Sequence, residues 1–260
     1  MLFRSTRTRP VRPVLGKTQH DISREWDRIV LRRAQQIASG KDLSFTFVLV
    51  PSLQSLASVC DLSSVLDVGC GPGFLTAEIA KCAQRVVGVD ISSASINYAR
   101  QRWLDLTNVQ FIHTSVEDYA ASNSGSEFTA AVANMTLVTV LDLDNVLKAA
   151  SRLIKSGGHI LCTITHPCFW PIYWGYFQER WFNYSQEIPI EGPFKISLDD
   201  CESFVTTHIH RPLDRYVAAL SGAGFSIDEI QEPFPSQEVQ ARYPRRWEYP
   251  RFLSIRSIRK

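Results

Sequence analysis

From residue 64 onward, the hydrophobic positions of this chain follow two alternating patterns. Short apolar runs typical of buried strands are followed by segments whose apolar residues recur every three or four positions, as in amphipathic helices. The apolar runs lie at residues 64–68, 85–90, 109–113, 128–135, 159–165, 225–230 and 252–258. Strands that alternate with helices predict an α/β fold with a doubly wound, mostly parallel sheet.

Residues 21–62 precede this alternation and have helical spacing. One helix is indicated by apolar side chains at positions 22, 26, 29, 30, 34 and 37, and Gly40 can end it. A second, shorter helix is predicted around residues 53–60, with Pro51 near its start.

The two ends of the chain are basic. The net charge is +2, but residues 1–20 carry +5 and residues 241–260 carry +6, which leaves −9 for residues 21–240. Residues 1–20 have no periodicity and contain Pro10 and Pro13, so we expect a mobile basic tail. A solvated tail and a basic final strand account for these charges, and a contact with nucleic acid or an anionic substrate is the alternative. An arginine-rich start without acids is also compatible with an organelle transit peptide.

Length and composition favour a globular protein of one domain with some decoration. The chain has 260 residues, 45% of them hydrophobic, which is enough to fill a core. No apolar run approaches the ~20 residues of a membrane span, so we expect a cytoplasmic protein. Six cysteines without a C-x-x-C pair predict scattered thiols in a reducing compartment, with neither a disulfide framework nor a zinc site.

A glycine-rich turn after the first apolar run carries the strongest chemical signal. It follows Asp67 and places glycines at 69, 71 and 73, which allow a tight turn and a close approach of the backbone to a ligand. The spacing differs from that of a dinucleotide fingerprint, and no Lys-Ser/Thr pair of a P-loop follows. Asp67 would repel a pyrophosphate and attract a cationic amino group. S-adenosylmethionine (SAM) fits, because it carries an ammonium and a sulfonium and no phosphate.

The second apolar run ends in another acid. Asp90 lies 21 residues beyond Gly69, where a carboxylate at the end of the second strand can accept hydrogen bonds from ribose hydroxyls. A solvated carboxylate at a strand end is the alternative.

The run Leu66-Asp67-Val68-Gly69-Cys70-Gly71-Pro72-Gly73 resembles the first motif of the class I SAM-dependent methyltransferases. The resemblance extends over about residues 64–260, apart from one insertion. It implies a seven-stranded sheet whose last two strands pair antiparallel, a SAM-binding domain over residues 63–260, and helices in residues 21–62 that cover the cofactor. It also implies cofactor contacts from Asp67, Gly69, Cys70, Gly71, Gly73, Asp90, Ile91, Ser115, Val116, Glu117, Asn134 and Met135.

Two positions differ from common family patterns. Many members have an acid where this chain has Ser115, so we expect the adenine contact from the backbone at Val116 and from Glu117 or Asp118. The segment 133–136, Ala-Asn-Met-Thr, is not the Asn/Asp-Pro-Pro-Tyr/Phe motif of DNA and protein amide methyltransferases. Its absence disfavours methylation of a nucleobase amine.

An aromatic-rich segment follows the fifth predicted strand. Residues 169–184 hold nine of the 28 aromatic residues and have no clear helical or strand period. We interpret residues 167–207 as an inserted substrate cap, and a satellite core under a long loop is the alternative. The expected substrate contacts are Phe169, Trp170, Tyr173, Trp174 and His210. The segment His210-Arg211-Pro212-Leu213 and the later Glu232-Pro233 are similar to a subgroup that methylates small molecules.

Methyl transfer needs a general base only if the nucleophile is a hydroxyl or an ammonium group. His166 directly follows the fifth predicted strand, so it is the candidate base, and pocket lining or a structural hydrogen bond is the alternative. His208 and His210 share one face of an extended segment, but no third ligand has matching spacing, so we expect no metal.

Three functions remain open at this stage. The leading hypothesis is a SAM-dependent methyltransferase acting on a small aromatic or apolar molecule, at oxygen in preference to nitrogen or carbon. A methyltransferase for RNA or protein would use the basic ends, although no RNA-binding module is recognisable. A SAM-binding protein without catalysis is the third, with the cap serving a partner.

Overall fold

The computed structural model describes residues 11–123, 125 and 127–260, so half of the predicted basic tail, residues 1–10, lies outside the described residues. The strands are β1 (Arg12–Pro13), β2 (Ser64–Val68), β3 (Arg85–Asp90), β4 (Val109–His113), β5 (Phe128–Asn134), β6 (Ile154–Thr165), β7 (Ile188–Ile196), β8 (Asp199–His210), β9 (Phe225–Gln231) and β10 (Phe252–Arg259). The helices are α1 (Gln19–Ala38), α2 (Val50–Ala57), α3 (Phe74–Ala80), α4 (Ser93–Arg102), α5 (Val116–Ser122), α6 (Leu143–Leu153), α7 (Trp170–Trp174), α8 (Leu213–Gly222) and α9 (Gln237–Gln240). A π-helical segment, Phe45–Leu49, leads into α2.

The main sheet has seven strands in the order β4-β3-β2-β5-β6-β10-β9. Strands β2 to β6 run parallel, because each is joined to the next by a crossover that contains a helix. Strand β10 pairs antiparallel with both β6 and β9. The predicted doubly wound, seven-stranded α/β fold is therefore confirmed, including its antiparallel last pair.

Both faces of the sheet are covered by apolar side chains. In β2, Leu66 and Val68 point into a large core that also takes residues from α5, α6 and α8. Val65 points to the opposite face and packs with residues from α2 and α3. This alternation, with nearly every position buried, is what the continuous apolar runs of the sequence predict for a sheet between two helical layers.

One strand begins earlier than the sequence pattern predicts. The apolar run predicted for this strand begins at residue 159, but α6 ends at Leu153 and β6 begins at Ile154, so Gly157 and Gly158 lie within the strand. Gly157 has a φ of +79°, and a Cβ on Gly158 would come within 2.6 Å of the Thr129 carbonyl oxygen. Gly158 therefore serves a close approach between β5 and β6, where the pairing register shifts, and Gly157 serves the left-handed backbone beside it.

The inserted segment forms regular structure that the sequence pattern did not reveal. Its strands β7 and β8 pair antiparallel and, with β1, make a separate three-stranded sheet. Pro189, Gly192 and Pro193 lie within β7, and such residues argue against a strand when the sequence is read alone. We call α7 together with this sheet the cap.

The start of the described chain is tied to the cap and to α1. Arg12 pairs with Glu191 of β7, and α1 begins at Gln19, within the segment expected to be a tail. Thr18 caps α1 through a reciprocal arrangement with Asp21, whose backbone N–H donates to the threonine hydroxyl at 3.1 Å. The division into tail, covering helices and catalytic domain stays a prediction.

None of the helices in the described part of the chain has the length and hydrophobicity that crossing a bilayer requires.

Candidate functional site

A cavity of about 760 Å³ lies at the carboxyl ends of β2, β3 and β5. The strand order reverses between β2 and β5, and a crevice at such a reversal is the usual ligand site of a doubly wound sheet. Side chains of α1 cover one side of the cavity, and β7 and β8 close another. Its volume is in the range of pockets that enclose a small molecule.

The turn after β2 places Gly69 and Gly71 at the cavity wall. Gly69 has a φ of +71°, and a Cβ there would come within 2.4 Å of Thr136. The Thr136 hydroxyl donates to the Val68 carbonyl at 2.8 Å, which joins the turn to the end of β5. Gly71 has a φ of +53°, and a Cβ on it would meet no protein atom within 4 Å. Gly69 is thus required by packing, whereas Gly71 leaves open space beside the turn.

Gly73, expected to contact the cofactor, does not line the cavity. Its φ is +80°, and a Cβ would come within 2.9 Å of the Phe111 and Trp103 rings. The Trp103 indole N–H donates to the Pro72 carbonyl at 3.0 Å. Gly73 therefore starts α3 and lets α4 and β4 pack against the turn, which corrects the expected role.

Asp67 lies at the cavity wall and is 1% exposed. Its carboxylate accepts a hydrogen bond from the Thr76 hydroxyl of α3 at 2.6 Å. Burial raises the pKa of Asp67 to about 7, the charge of Asp90 adds to the increase, and the Thr76 bond opposes it. A cation beside Asp67 would favour its ionised form.

Asp90, at the end of β3, is fixed by two backbone N–H groups. Gly71 donates to one carboxylate oxygen at 2.8 Å, and Ser92 donates to the other at 2.7 Å. Burial raises the pKa of Asp90, and these two bonds oppose the increase. The carboxylate holds the glycine turn against β3, and each oxygen keeps a lone pair for a further donor. Ile91 follows at the cavity wall, and its carbonyl accepts from the Ser23 hydroxyl of α1 at 2.9 Å.

The third strand leads to Ser115, Val116 and Glu117, and all three line the cavity. Ser115 caps α5, because its hydroxyl accepts from the Asp118 N–H at 3.0 Å and donates to the Asp118 carboxylate at 2.8 Å. The Asp118 carboxylate is therefore occupied at the start of α5 and does not line the cavity. Of the two candidate acids, only Glu117 lines it.

Asn134 and Met135 end β5 at the cavity wall. The Thr163 hydroxyl donates to the Asn134 side-chain oxygen at 2.7 Å, which leaves the amide N–H₂ for other acceptors. Met135 has a φ of 58°, in the left-handed region that a residue with a side chain rarely adopts. Such backbone strain often marks a functional edge.

The other end of the cavity is aromatic. Three of the expected substrate contacts, Trp170, Tyr173 and Trp174 of α7, line it, and the Trp170 ring lies 5.3 Å from Tyr173 and 5.6 Å from Trp174. Sequence reasoning missed further residues of this wall, namely Phe194, His208, Tyr243, Arg245, Arg251 and Phe252. They come from the cap sheet and from the chain before and within β10, and no local pattern connects them with α7.

Two expected substrate contacts lie elsewhere, because neither Phe169 nor His210 lines the cavity. Phe169 stacks on Tyr249 at 5.0 Å with an angle of 10° between the rings. His210 is buried, and its Nε2 is 3.0 Å from the Tyr184 carbonyl oxygen. Neither residue is placed to contact a ligand in the cavity, which corrects the prediction.

His166, the expected general base, is also directed away from the cavity. It is 3% exposed, and both ring nitrogens have partners. Nε2 is 2.8 Å from a Glu232 carboxylate oxygen, and Nδ1 accepts from the Cys168 N–H at 3.2 Å. The chain turns at the end of β6, so the imidazole packs against Phe169 at the start of α7 and does not reach the aromatic end of the cavity. The geometry therefore favours the alternative given with the prediction, a structural hydrogen bond.

His208 is the histidine that lines the cavity. Burial lowers its pKa to about 3, and the charge of His210 contributes. The imidazole is thus neutral at physiological pH, and it packs against the Trp174 ring at 5.4 Å. In the described part of the chain, no group of three or more histidine, cysteine, aspartate or glutamate residues is arranged to hold a metal ion.

Side chains of helix α1 line one side of the cavity. Ile22, Trp26, Val30 and Ile37 line the cavity, and these residues recur on one face of the helix. Trp26 packs edge-on against Phe194 of β7 at 5.9 Å, so α1 and the cap meet over the site.

The chain is similar to known methyltransferases in sequence and in fold. Residues 65–158 match the family described as a methyltransferase domain. The ubiquinone biosynthesis O-methyltransferase of Vibrio parahaemolyticus is 36% identical over 97 residues, which are 37% of this chain and 41% of that protein. The chain thus spans about two fifths of the length of the curated relatives it matches.

Solved structures share the architecture. A crystal structure assigned to the S-adenosylmethionine-dependent methyltransferases, from Listeria monocytogenes, has a TM-score of 0.63 and 21% identity, covering 82% of this chain and 96% of that one. An S-adenosylmethionine-dependent methyltransferase from Mesorhizobium loti has a TM-score of 0.58 and 21% identity, covering 80% and 96%. The cavity at the strand reversal, the match over residues 65–158 and the shared architecture agree: this chain is similar to methyltransferase domains over residues 65–158 and has the fold of the class I SAM-dependent methyltransferases.

Proposed function

We propose that this protein transfers the methyl group of SAM to an oxygen atom of a small aromatic or apolar molecule. The observation that supports this most directly is that one cavity joins the motif residues at the strand ends to the aromatic side chains of α7 and the cap. The matched relative is named an O-methyltransferase, which supports oxygen as the acceptor atom.

The strand ends fit SAM in charge and in shape. Asp67 and Asp90 are carboxyl groups whose pKa values are raised by burial, so a cationic ligand relieves an unfavourable environment. The open space beside Gly71 admits a ligand against the turn. Asp67 would hold the amino group, Asp90 the ribose hydroxyls and Val116 the adenine. Contacts from Gly69, Cys70, Ile91, Ser115, Glu117, Asn134 and Met135 would complete the site.

Bound SAM supplies a methyl group on a sulfonium, which a nucleophile displaces in line. The protein's part is to position the acceptor and to exclude water. Trp170, Tyr173 and Trp174 form a wall suited to a flat apolar molecule. Asn134 and Met135 lie between this wall and the glycine turn, because Met135 packs with both the main core and the cluster that contains Tyr243 and Phe252.

A strong protein base is not part of this proposal. Efficient proton transfer needs a pKa near the working pH, and the His208 pKa of about 3 is far below it. His166 is directed away from the cavity. An acceptor with an acidic hydroxyl, such as a phenol with an electron-withdrawing substituent, can release its proton to the solvent before methyl transfer, so that no protein base is required.

Part of the basic charge near the C-terminus is neutralised within the protein, which weakens the case for a nucleic-acid substrate. Arg256 of β10 pairs with Asp228 at 2.8 Å and with Glu229 at 2.9 Å. Arg251 is buried beside the aromatic end of the cavity. The proposal therefore keeps a small molecule as the partner.

The proposal is tested with purified protein, SAM carrying a labelled methyl group, and a panel of phenols. We expect SAM and S-adenosylhomocysteine, and not NAD, to raise the melting temperature, and we expect label to be transferred to phenolic oxygen in the presence of EDTA. A rise with NAD alone would contradict the cofactor. Transfer only to RNA, or only after magnesium is restored, would contradict the acceptor or the metal-free chemistry.

A further inference from the structure

One buried cation at the aromatic end of the cavity has no acidic partner among the residues that the structure describes. Arg251 is 7% exposed and lines the cavity. Its guanidinium carbon lies 3.8 Å from the centre of the Tyr173 ring and 4.4 Å from that of Trp247. One of its nitrogens donates to the Arg245 carbonyl at 3.4 Å. Among the described residues, no carboxylate lies within salt-bridge distance of Arg251.

Three other buried or half-buried arginines have acidic partners. Arg211, 1% exposed, pairs with Glu187 at 2.5 Å and donates to three backbone carbonyls. Arg256 pairs with two acids of β9. Arg33, which also lines the cavity, lies 2.6 Å from Asp42. Because buried charges are normally paired, the exception at Arg251 points to a partner from outside the chain.

A second cation reinforces the first. Arg245 lines the same part of the cavity, is exposed, and forms no salt bridge with a described residue. Burial lowers the pKa of the Arg251 guanidinium, and the neighbouring charge of Arg245 lowers it further. Arginine nevertheless stays protonated in proteins. Two like charges at one wall repel each other, and an anion between them would remove that repulsion.

The acids that line the cavity do not supply this anion. Asp67, Asp90 and Glu117 belong to the strand ends, where the cofactor is proposed to bind. Asp42 is used by Arg33, and Asp142 caps α6 by accepting from the Asn145 N–H at 2.9 Å. The aromatic end is therefore positively charged where the cofactor end is negative.

We propose that the methyl acceptor is an aromatic acid, whose anionic group binds Arg251 with Arg245 at the rim. This rests on the proposed function. The aromatic rings pack on the guanidinium and hold it in place, which leaves N–H groups at its edge for a carboxylate. The aromatic ring of the acceptor then lies among Trp170, Tyr173 and Trp174. The anionic group directs the acceptor hydroxyl toward the strand ends.

The test compares two probes of equal size, 3,4-dihydroxybenzoate and 3,4-dihydroxybenzamide, on the complex with S-adenosylhomocysteine. Calorimetry measures the dissociation constant of each. We expect the acid to bind at least ~10-fold more tightly than the amide, as for a charge-assisted pair in a buried site. Arg251→Gln should reduce this preference to within ~2-fold, and Arg251→Lys should keep part of it. Affinity for S-adenosylhomocysteine should be unchanged in both variants.

Arg246→Gln is the matched control, because Arg246 is exposed, adjacent to Arg245 and not part of the cavity wall. It should leave the preference for the acid intact. If Arg251→Gln does not fold, Arg245→Gln replaces it, since Arg245 is exposed. We expect Arg245→Gln to reduce the preference by ~3-fold or more.

Equal binding of acid and amide to the wild-type protein, binding of neither, or a preference that survives Arg251→Gln would overturn the inference. Its failure is distinguishable from failure of the proposed function. Methyl transfer to catechol or to the amide without preference for the acid leaves the methyltransferase proposal standing. Failure to bind S-adenosylhomocysteine contradicts both.

Discussion

Asp67 and Asp90 at one end of the cavity and Arg245 and Arg251 at the other carry opposite charges, and none of the four forms a salt bridge within the described chain. The acids are held by backbone and hydroxyl donors that leave part of each carboxylate unpaired. Arg251 is held by aromatic faces. Each end therefore stores an electrostatic cost in the free protein that a ligand of opposite charge relieves.

The two ends also differ in how they are built. The cofactor end consists of loops that follow consecutive parallel strands, so its residues come in sequence order from 67 to 135. The acceptor end combines α7, two antiparallel cap strands and a C-terminal segment that are far apart in the chain. One ligand site is fixed by the main sheet, and the other by contacts among separate segments. The first suits an unchanging cofactor, and the second can vary with the substrate.

The largest effect is expected from removing the charge of Asp67. Asp67→Asn keeps an acceptor for the Thr76 hydroxyl and deletes the negative charge. We expect affinity for S-adenosylhomocysteine to fall ~100-fold, because the ammonium of the ligand would lose its anionic partner in a buried site. Calorimetry measures the change, and Asp105→Asn, at an exposed position outside the cavity, is the control. Unchanged affinity would place the ammonium of the ligand elsewhere.

The cofactor end was predictable from the sequence, because each of its residues follows a strand whose apolar run is visible. Of its twelve predicted residues, only Gly73 does not line the cavity. Its sequence signal is the same as that of Gly71, since both are glycines of one turn. What separates them is the packing of Phe111 and Trp103 behind the turn, which comes from other elements.

The acceptor end was predictable only in part, for a physical reason. Trp170, Tyr173 and Trp174 were found because aromatic residues are dense in that segment. Arg251 directly precedes the basic final strand, where an arginine is normally expected to be exposed to solvent. Its burial depends on Tyr173, 78 residues earlier, so no local pattern reveals it. The His166 and His210 side chains do not line the cavity, because the position of a residue along the chain does not determine which way its imidazole points.

A smaller effect is expected from opening the aromatic wall. Trp174→Ala removes a ring that lines the cavity and packs on Gly192. We expect the KM for the acceptor to rise ~10- to ~30-fold, because part of a buried aromatic contact is lost, with affinity for SAM nearly unchanged. Trp181→Ala is the control, since Trp181 belongs to the same insertion but packs on Tyr176 away from the cavity. Equal effects of the two substitutions would mean that the cap acts only through stability.

The charge of Asp67 should also make ligand binding depend on pH. Its pKa of about 7 in the free protein is above the ordinary value of 3.8, so between these values the folded state holds a proton that the unfolded chain has lost. Stability of the free protein contributed by this group therefore falls as the pH rises from about 4 to about 7. A cationic ligand favours the ionised form, so affinity for S-adenosylhomocysteine should rise ~10-fold from pH 6 to pH 8. Calorimetry across this range checks the slope, which Asp67→Asn should abolish.

The smallest effect is expected at His166, and it separates chemistry from scaffolding. The imidazole is enclosed beneath α7 with Glu232 and the Cys168 N–H as partners, so it cannot reach an acceptor hydroxyl without a rearrangement of the chain. His166→Gln should therefore lower kcat by less than ~3-fold. His166→Gln and Glu232→Gln should lower the melting temperature by similar amounts, because each removes one partner of the same hydrogen bond. A general base would instead contribute ~10²-fold or more to kcat. The decisive measurement is kcat against pH in both proteins. If the wild type shows an acidic limb that His166→Gln removes, the aromatic end of the cavity must rearrange on binding, and the imidazole takes the proton after all.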